Sequence, residues 1–218
     1  MIQLFGHPFS SYTWKALIAL WEKGIPFDFR MLDQAHPENG AEFAQRWSVG
    51  KFPLLVDGEC QVMEATSIIE YLDLAFPDTP RLIPADALAA QNVRMLDRIF
   101  DNYVMSPVQQ IVGDAIRAPE LRDAHGVANA HQALERAYNW LESNLPESGW
   151  AATGNFTLAD CAAAPSLFYA DWVHPFGSQW PSLADYRARL LAHPTVARAV
   201  DGARPYRHFF PLGAPDRD

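Results

Sequence analysis

Two stretches of the chain hold residues whose type and spacing could do chemistry. In the first, Ser10 and Ser11 open the run SSYTWKALIALWEKG. Serine is a favoured N-cap residue, so one of the pair can simply cap a helix. The second stretch, GKFPLLVDGECQVMEATSIIEYLD from Gly50 to Asp73, reads as a proline-entered strand, a tight hairpin and a helix with Glu64 in its first turn. The backbone around Phe52 and Pro53 would offer an unpaired edge. The helix opening at Glu64, Ala65 and Thr66 would offer free N–H groups and a positive dipole end. An edge facing such a cup suits an anionic peptide ligand.

The elements that must position these groups follow from periodicity. Ile2 to Phe5 is a short apolar strand, and Trp14, Leu17, Ile18 and Trp21 recur at helical spacing before Gly24 ends the run. FDFRML alternates Phe27, Phe29 and Met31, a strand period. A short helix is expected around Ala41 to Trp47. A hairpin of Leu54 to Val56 and Gln61 to Met63 should turn at Asp57 and Gly58, followed by a helix from Glu64 to Phe76. The order βαβαββα in residues 1–76 predicts a small mixed α/β sheet with helices on both faces. Pro77, Pro80 and Pro84 punctuate a linker over 77–86, and residues 87–218 show only helical patterns, predicting an all-helical C-terminal domain. Asp86 to about Gly113 reads as one long helix kinked at Pro107. Val127, Ala130, Leu134, Ala137, Tyr138, Leu141 and Leu145 trace one face of a second. Thr157 and Asp160 form an N-cap signature, with Phe156 and Cys161 as a hydrophobic staple, for a helix reaching about Ala170.

The totals narrow the function classes. The chain has 218 residues, 49% hydrophobic and 20% charged, enough to bury a sizeable core. A net charge of −9 with dispersed Lys and Arg argues against a nucleic-acid partner. No run reaches the ~18 apolar residues of a membrane span, and the start at Ile2 to Phe5 does not read as a secretory leader, so a cytoplasmic protein is expected. Cys60 and Cys161 lie in no CxxC spacing and are expected as reduced thiols. The seven histidines form no HxxxH or HExxH pattern, so no metal site is expected.

The chain resembles the glutathione S-transferase family at specific letters. Gly50, Lys51 and Pro53 match a GKVP-type loop, Asp57 and Gly58 a DG hairpin, and Glu64, Ile68, Tyr71 and Leu72 an ES-x-x-I-x-x-YL helix. SSYTWKALIAL is similar to the zeta-type opening SSCSWRVRIAL, and FTLADC to the capping motif of a buried helix in the second domain. The resemblance implies a thioredoxin-like first domain, glutathione as cosubstrate without a metal, and a homodimer. It implies that Ser10, with Ser11 and Tyr12 as second choices, donates a hydrogen bond to the glutathione sulfur. Pro53 would be cis, with the main chain of Phe52 on the ligand. Lys51 would pair with the glycyl carboxylate or remain solvated, and Glu64 would receive the γ-glutamyl ammonium. Ala65 replaces the expected serine, with Thr66 next. Phe9, Tyr12, Tyr103, Met105 and the tail residues Phe209 and Phe210 are candidates for the electrophile pocket. The function implied is attack by the glutathione thiolate on a small hydrophobic electrophile, as in detoxification. A glutathione-dependent isomerase and a non-catalytic interaction module of the same fold are the alternatives.

Overall fold

The computed structural model describes residues 1–152 and 154–218. Strand β1 (Ile2–Gly6) leads into helix α1 (Ser11–Glu22), followed by β2 (Phe27–Met31), α2 (Pro37–Arg46), the hairpin β3 (Leu54–Asp57) and β4 (Cys60–Met63), and α3 (Ala65–Ala75). The four strands lie in the order β2-β1-β3-β4, with β1 parallel to β2 and antiparallel to β3. Alternation along a strand sends successive side chains to opposite faces. Ile2, Leu4 and Leu55 therefore enter the large core beneath α1 and α3, whereas Phe5, Leu54 and Val56 meet Phe43 of α2 in a small second core. This is the thioredoxin-like arrangement expected of the first part of the chain. Helix α2 starts at Pro37, four residues before Ala41, because Pro37 occupies its first turn, where a missing N–H costs nothing.

Every later element is helical: α4 (Ala87–Ile99), a π-helical turn (Phe100–Met105), α5 (Ser106–Ile116), a short 3₁₀ turn (Pro119–Leu121), α6 (Ala124–Asn144), α7 (Leu158–Val173), α8 (Pro181–Ala192), α9 (Pro194–Ala203) and a 3₁₀ segment (Arg204–Phe209). Residues 76–86 carry no helix or strand but are pinned. Asp73 accepts hydrogen bonds from the Leu82 and Ile83 N–H groups and from Lys23 Nζ, and Leu82 and Ile83 are buried. Helix α7 is buried from Leu158 to Trp172 and forms the axis of the helical part. Its start is a capping box: Thr157 caps the backbone, and Asp160 accepts from the Thr157 N–H at 2.8 Å. Asp160 also accepts from Tyr186 Oη at 2.6 Å. The helix runs to Val173 rather than Ala170, passing through Pro165.

The long helix predicted from Asp86 is interrupted just before Pro107. Proline cannot donate to the carbonyl four residues back, and the backbone responds with the wide π turn of Phe100–Met105. Ser106 Oγ donates to the Asp101 carbonyl at 3.0 Å across that turn.

Candidate active site

Strand β1 ends at Gly6, where the chain turns through His7–Pro8–Phe9 into α1. A Cβ on Gly6 would stand 2.6 Å from Thr13 Oγ1, so only glycine lets the strand end and the helix approach this closely. Ser10 is the N-cap: it has extended backbone angles (φ −88°, ψ 127°), and its Oγ accepts from the Thr13 N–H at 3.3 Å. The capping role read from the sequence is thus present, and it uses only an acceptor lone pair. The hydroxyl hydrogen remains for a ligand. Phe9 is held from both sides: its N–H donates to His7 Nδ1 at 3.1 Å, and its carbonyl accepts from Tyr169 Oη at 2.8 Å. Burial lowers the His7 pKa, which favours the neutral imidazole this acceptor role requires.

Across the cleft, the Phe52–Pro53 peptide is cis. Glu64 is the N-cap of α3 with φ +68° and ψ 124°, the only non-glycine residue of positive φ among those described. Its carboxylate is exposed and makes no cap bond, and the first N–H groups of α3 have no intrahelical acceptor. Tyr12 stays protonated, its pKa pushed up to about 12 by burial and by the carboxylates of Asp101 and Glu64. It can donate a hydrogen bond but cannot act as a base.

One cavity of about 560 Å³ gathers most of the expected residues: Phe9, Ser10, Ser11, Tyr12, Lys51, Phe52, Pro53, Glu64, Ala65, Met105, Phe209 and Phe210 all line it. Polar groups from the first part of the chain form one wall and apolar side chains of the helical part form the other. Two expected residues lie elsewhere. Tyr103 stands in a separate groove beside Pro107, Ala137 and Trp140, because residues two apart on a helix cannot share a face and Met105 takes the cleft side. Thr66 turns its hydroxyl away from the cleft, donating to Asp97 at 3.1 Å and accepting from Lys15 Nζ at 2.8 Å and from Arg98.

Thr66 belongs to a buried polar cluster that joins α1, α3, α4 and the π turn. Lys15 and Asp97 are fully buried, and Lys15 pairs with Asp97 and, at 2.8 Å, with Asp101. Arg98 closes the cluster against both carboxylates, so two cations face two anions. Tyr169, Val108, Gln109, Val112 and Ile116 also line the cleft and were not singled out from the sequence. The α5 residues were within reach of the periodicity, since 105, 108, 109, 112 and 116 follow one helical face. Tyr169 had no such signal.

Known proteins share this arrangement. The family model described as "Glutathione S-transferase, N-terminal domain" matches residues 4–80, and "Glutathione S-transferase, C-terminal domain" matches residues 123–189. The chain is 29% identical over 200 residues to glutathione S-transferase F6 of Arabidopsis thaliana, covering 88% of this chain and 91% of that protein. It is 27% identical over 215 residues to a probable maleylacetoacetate isomerase of Vibrio cholerae, covering 93% and 96%. Among solved structures, a glutathione S-transferase of Methylobacillus flagellatus with GSH bound superposes with a TM-score of 0.82 at 25% identity, covering 91% of this chain and 98% of that one. The chain belongs to the glutathione S-transferase family and is an enzyme of that kind.

Proposed function

We propose that the enzyme holds glutathione in the cleft between Ser10, the Lys51–Pro53 segment and the start of α3. Its thiol is ionised there and directed at a small hydrophobic electrophile. The observation that carries this reading is the capping geometry of Ser10: its Oγ accepts from Thr13 and keeps its hydrogen for the sulfur, at the positive end of α1. An ordinary thiol of pKa ~8.5 is only a few per cent ionised at neutral pH, and lowering it by about two units takes roughly 2.7 kcal/mol. A hydrogen bond to a charged group supplies about 1.5–3 kcal/mol and a helix N-terminus up to ~2, so the two together suffice without a histidine base. The thiol proton leaves to solvent. The thiolate then attacks an electrophile resting on Phe9, Met105, Val108, Val112 and Phe210. Glu64 receives the γ-glutamyl ammonium and the N–H groups at Ala65 and Thr66 receive its carboxylate, while Lys51 at the rim faces the glycyl carboxylate.

Ultraviolet titration of the bound thiolate tests this. The parent should ionise glutathione about two pH units below the free thiol, and Ser10→Ala should return most of that shift while affinity changes only a few-fold. Equal titration curves for the two proteins remove Ser10 from the role.

A glutathione-dependent isomerisation is the second reading, favoured by the likeness to the Vibrio cholerae protein over 93% of the chain. The same cleft would serve it, since thiolate addition and elimination at an activated double bond begin with the same ionised sulfur. The non-catalytic module is disfavoured by the apolar side chains of Met105, Val108, Val112 and Phe210 that line one cleft with Ser10. We also propose a cytoplasmic homodimer working in detoxification. Both thiols are free, and no helix among the described residues is long and apolar enough to cross a membrane. Leu74, Leu88, Met95 and Tyr103 stay exposed along α3, α4 and the π turn, an apolar face that a second copy would cover. Sedimentation velocity at monomer mass would refute the dimer.

A further inference from the structure

Helix α7 holds the turn before α1 through a hydrogen bond. Tyr169 is buried, and its Oη donates to the Phe9 carbonyl at 2.8 Å across 160 positions of sequence. That carbonyl belongs to the peptide unit that carries the Ser10 N–H. The same unit is held on its opposite side, because the Ser10 N–H donates to the His7 carbonyl at 3.0 Å. A peptide unit is planar and turns as one body, so a bond at its oxygen and another at its hydrogen stop its rotation. Its plane sets the φ −88° of Ser10, and with it where the Ser10 hydroxyl stands in the cleft.

Tyr169 is itself fixed. Its ring packs edge to face on Phe9 with 5.6 Å between centroids and lies against Trp14, Phe168 and Trp172. Burial holds its pKa far above that of an ordinary phenol, opposed only in part by the positive charge of Arg207, so Oη remains a donor throughout the working pH range. The local bonds of the turn, from the Phe9 N–H to His7 Nδ1 and from Trp14 Nε1 to the Pro8 carbonyl, leave the Phe9 carbonyl to Tyr169. A donor aimed in advance at a forming anion costs no reorganisation, and misplacing one by about 1 Å can cost on the order of 10²-fold in rate. We propose that, with Ser10 bound to the glutathione sulfur as described above, Tyr169 is its positioning residue. It aims the serine hydroxyl through the Phe9–Ser10 peptide, and so makes thiol ionisation depend on a helix of the helical part.

Tyr169→Phe deletes one oxygen and keeps the ring in its packing. Ultraviolet titration of bound glutathione compares the parent, Ser10→Ala, Tyr169→Phe and the double variant, with thermal melts to establish that each is folded. Tyr169→Phe is expected to raise the bound thiol's pKa by about one unit, a roughly tenfold loss of thiolate below that pKa. The acid limb of the kcat/KM pH profile should move up with it, while the glutathione Kd changes at most a few-fold. In the double variant the thiol pKa should equal that of Ser10→Ala, because a residue acting through Ser10 has nothing left to position. Tyr138→Phe is the comparison for lost stability alone: Tyr138 is also buried and donates to a carbonyl, that of His174 at 3.2 Å, and neither residue lines the cleft. It should lower the melting temperature and leave the thiol pKa at the parent value. An unmoved thiol pKa in Tyr169→Phe, shifts that add in the double variant, or an equal shift in Tyr138→Phe overturns the role of Tyr169 and leaves Ser10 in place. Equal curves for the parent and Ser10→Ala overturn both roles.

Discussion

Glu64 and Ala65 together define what the start of α3 can offer a ligand. Glu64 adopts φ +68°, a backbone state that costs a residue with a Cβ on the order of 1–3 kcal/mol, and such residues cluster at functional sites. Next to it, Ala65 contributes only its backbone, and the Thr66 hydroxyl is spent on Lys15, Asp97 and Arg98. The α3 N-terminus is therefore one hydroxyl short of the pattern seen in the family's ES motif. Because Ala65 lines the cleft, a hydroxyl added there would face the γ-glutamyl carboxylate in the binding mode proposed above. A hydrogen bond to a charged group contributes about 1.5–3 kcal/mol, so Ala65→Ser should tighten glutathione binding by roughly ten- to a hundredfold. Calorimetric titration reads this directly, and an unchanged Kd would mean that the carboxylate is bound elsewhere.

At the scale of elements, what was legible depended on whether the signal was local. The apolar spacing of Trp14, Leu17, Ile18 and Trp21, the alternation of Phe27, Phe29 and Met31, the Asp57–Gly58 turn and the Thr157–Asp160 box all read correctly, since each is decided within a few neighbours. Lys15 did not. It sits inside the run KALIAL, and its burial depends on Asp97 and Asp101, more than eighty residues away, which periodicity cannot report. Tyr103 was misplaced because spacing alone does not say which side of a π turn faces the cleft. The Lys15 cluster makes a distinct prediction. Without the Lys15 ammonium, Arg98 alone faces both carboxylates, and losing one member of a buried ionic group costs up to about 3–5 kcal/mol. Lys15→Met should lower the urea midpoint accordingly at unchanged m. Burial already raises the Asp101 pKa and Lys15 holds it down, so without Lys15 it should rise further, and the deficit should shrink as pH falls and Asp101 becomes neutral. A deficit independent of pH would assign Lys15 a packing role only.

Across the whole molecule, the two parts of the chain are tied at both ends of α1. Phe9 meets Tyr169 and shares the cleft with the tail residues Phe209 and Phe210, while Glu22 accepts from His193 at 2.7 Å and from Thr195 at 2.6 Å. His7 stands at such a junction and His131 between two helices of the helical part, and each has its pKa lowered chiefly by burial. His7 lies against the tail rings of Tyr206 and Phe209. His131 on α6 faces His174 at the end of α7, with 2.9 Å between their Nδ1 atoms. Only one of those nitrogens can donate in that contact, so a second proton would break it. His174 lowers the His131 pKa further, and Glu135 opposes it. The sign of the linkage follows. Below about pH 6.5 the unfolded chain binds protons that the folded chain refuses, so stability is complete above that pH and declines as pH falls through the lowered folded-state values. Each histidine contributes at most about 1.4 kcal/mol per pH unit. Urea melts of the parent should therefore lose stability between pH 7 and 5. His131→Asn and His7→Asn should each flatten that slope, because asparagine can still fill the hydrogen-bonding position without titrating. A parent whose midpoint is level across this range, or variants that keep its slope, would mean that neither imidazole links the stability of the molecule to acid.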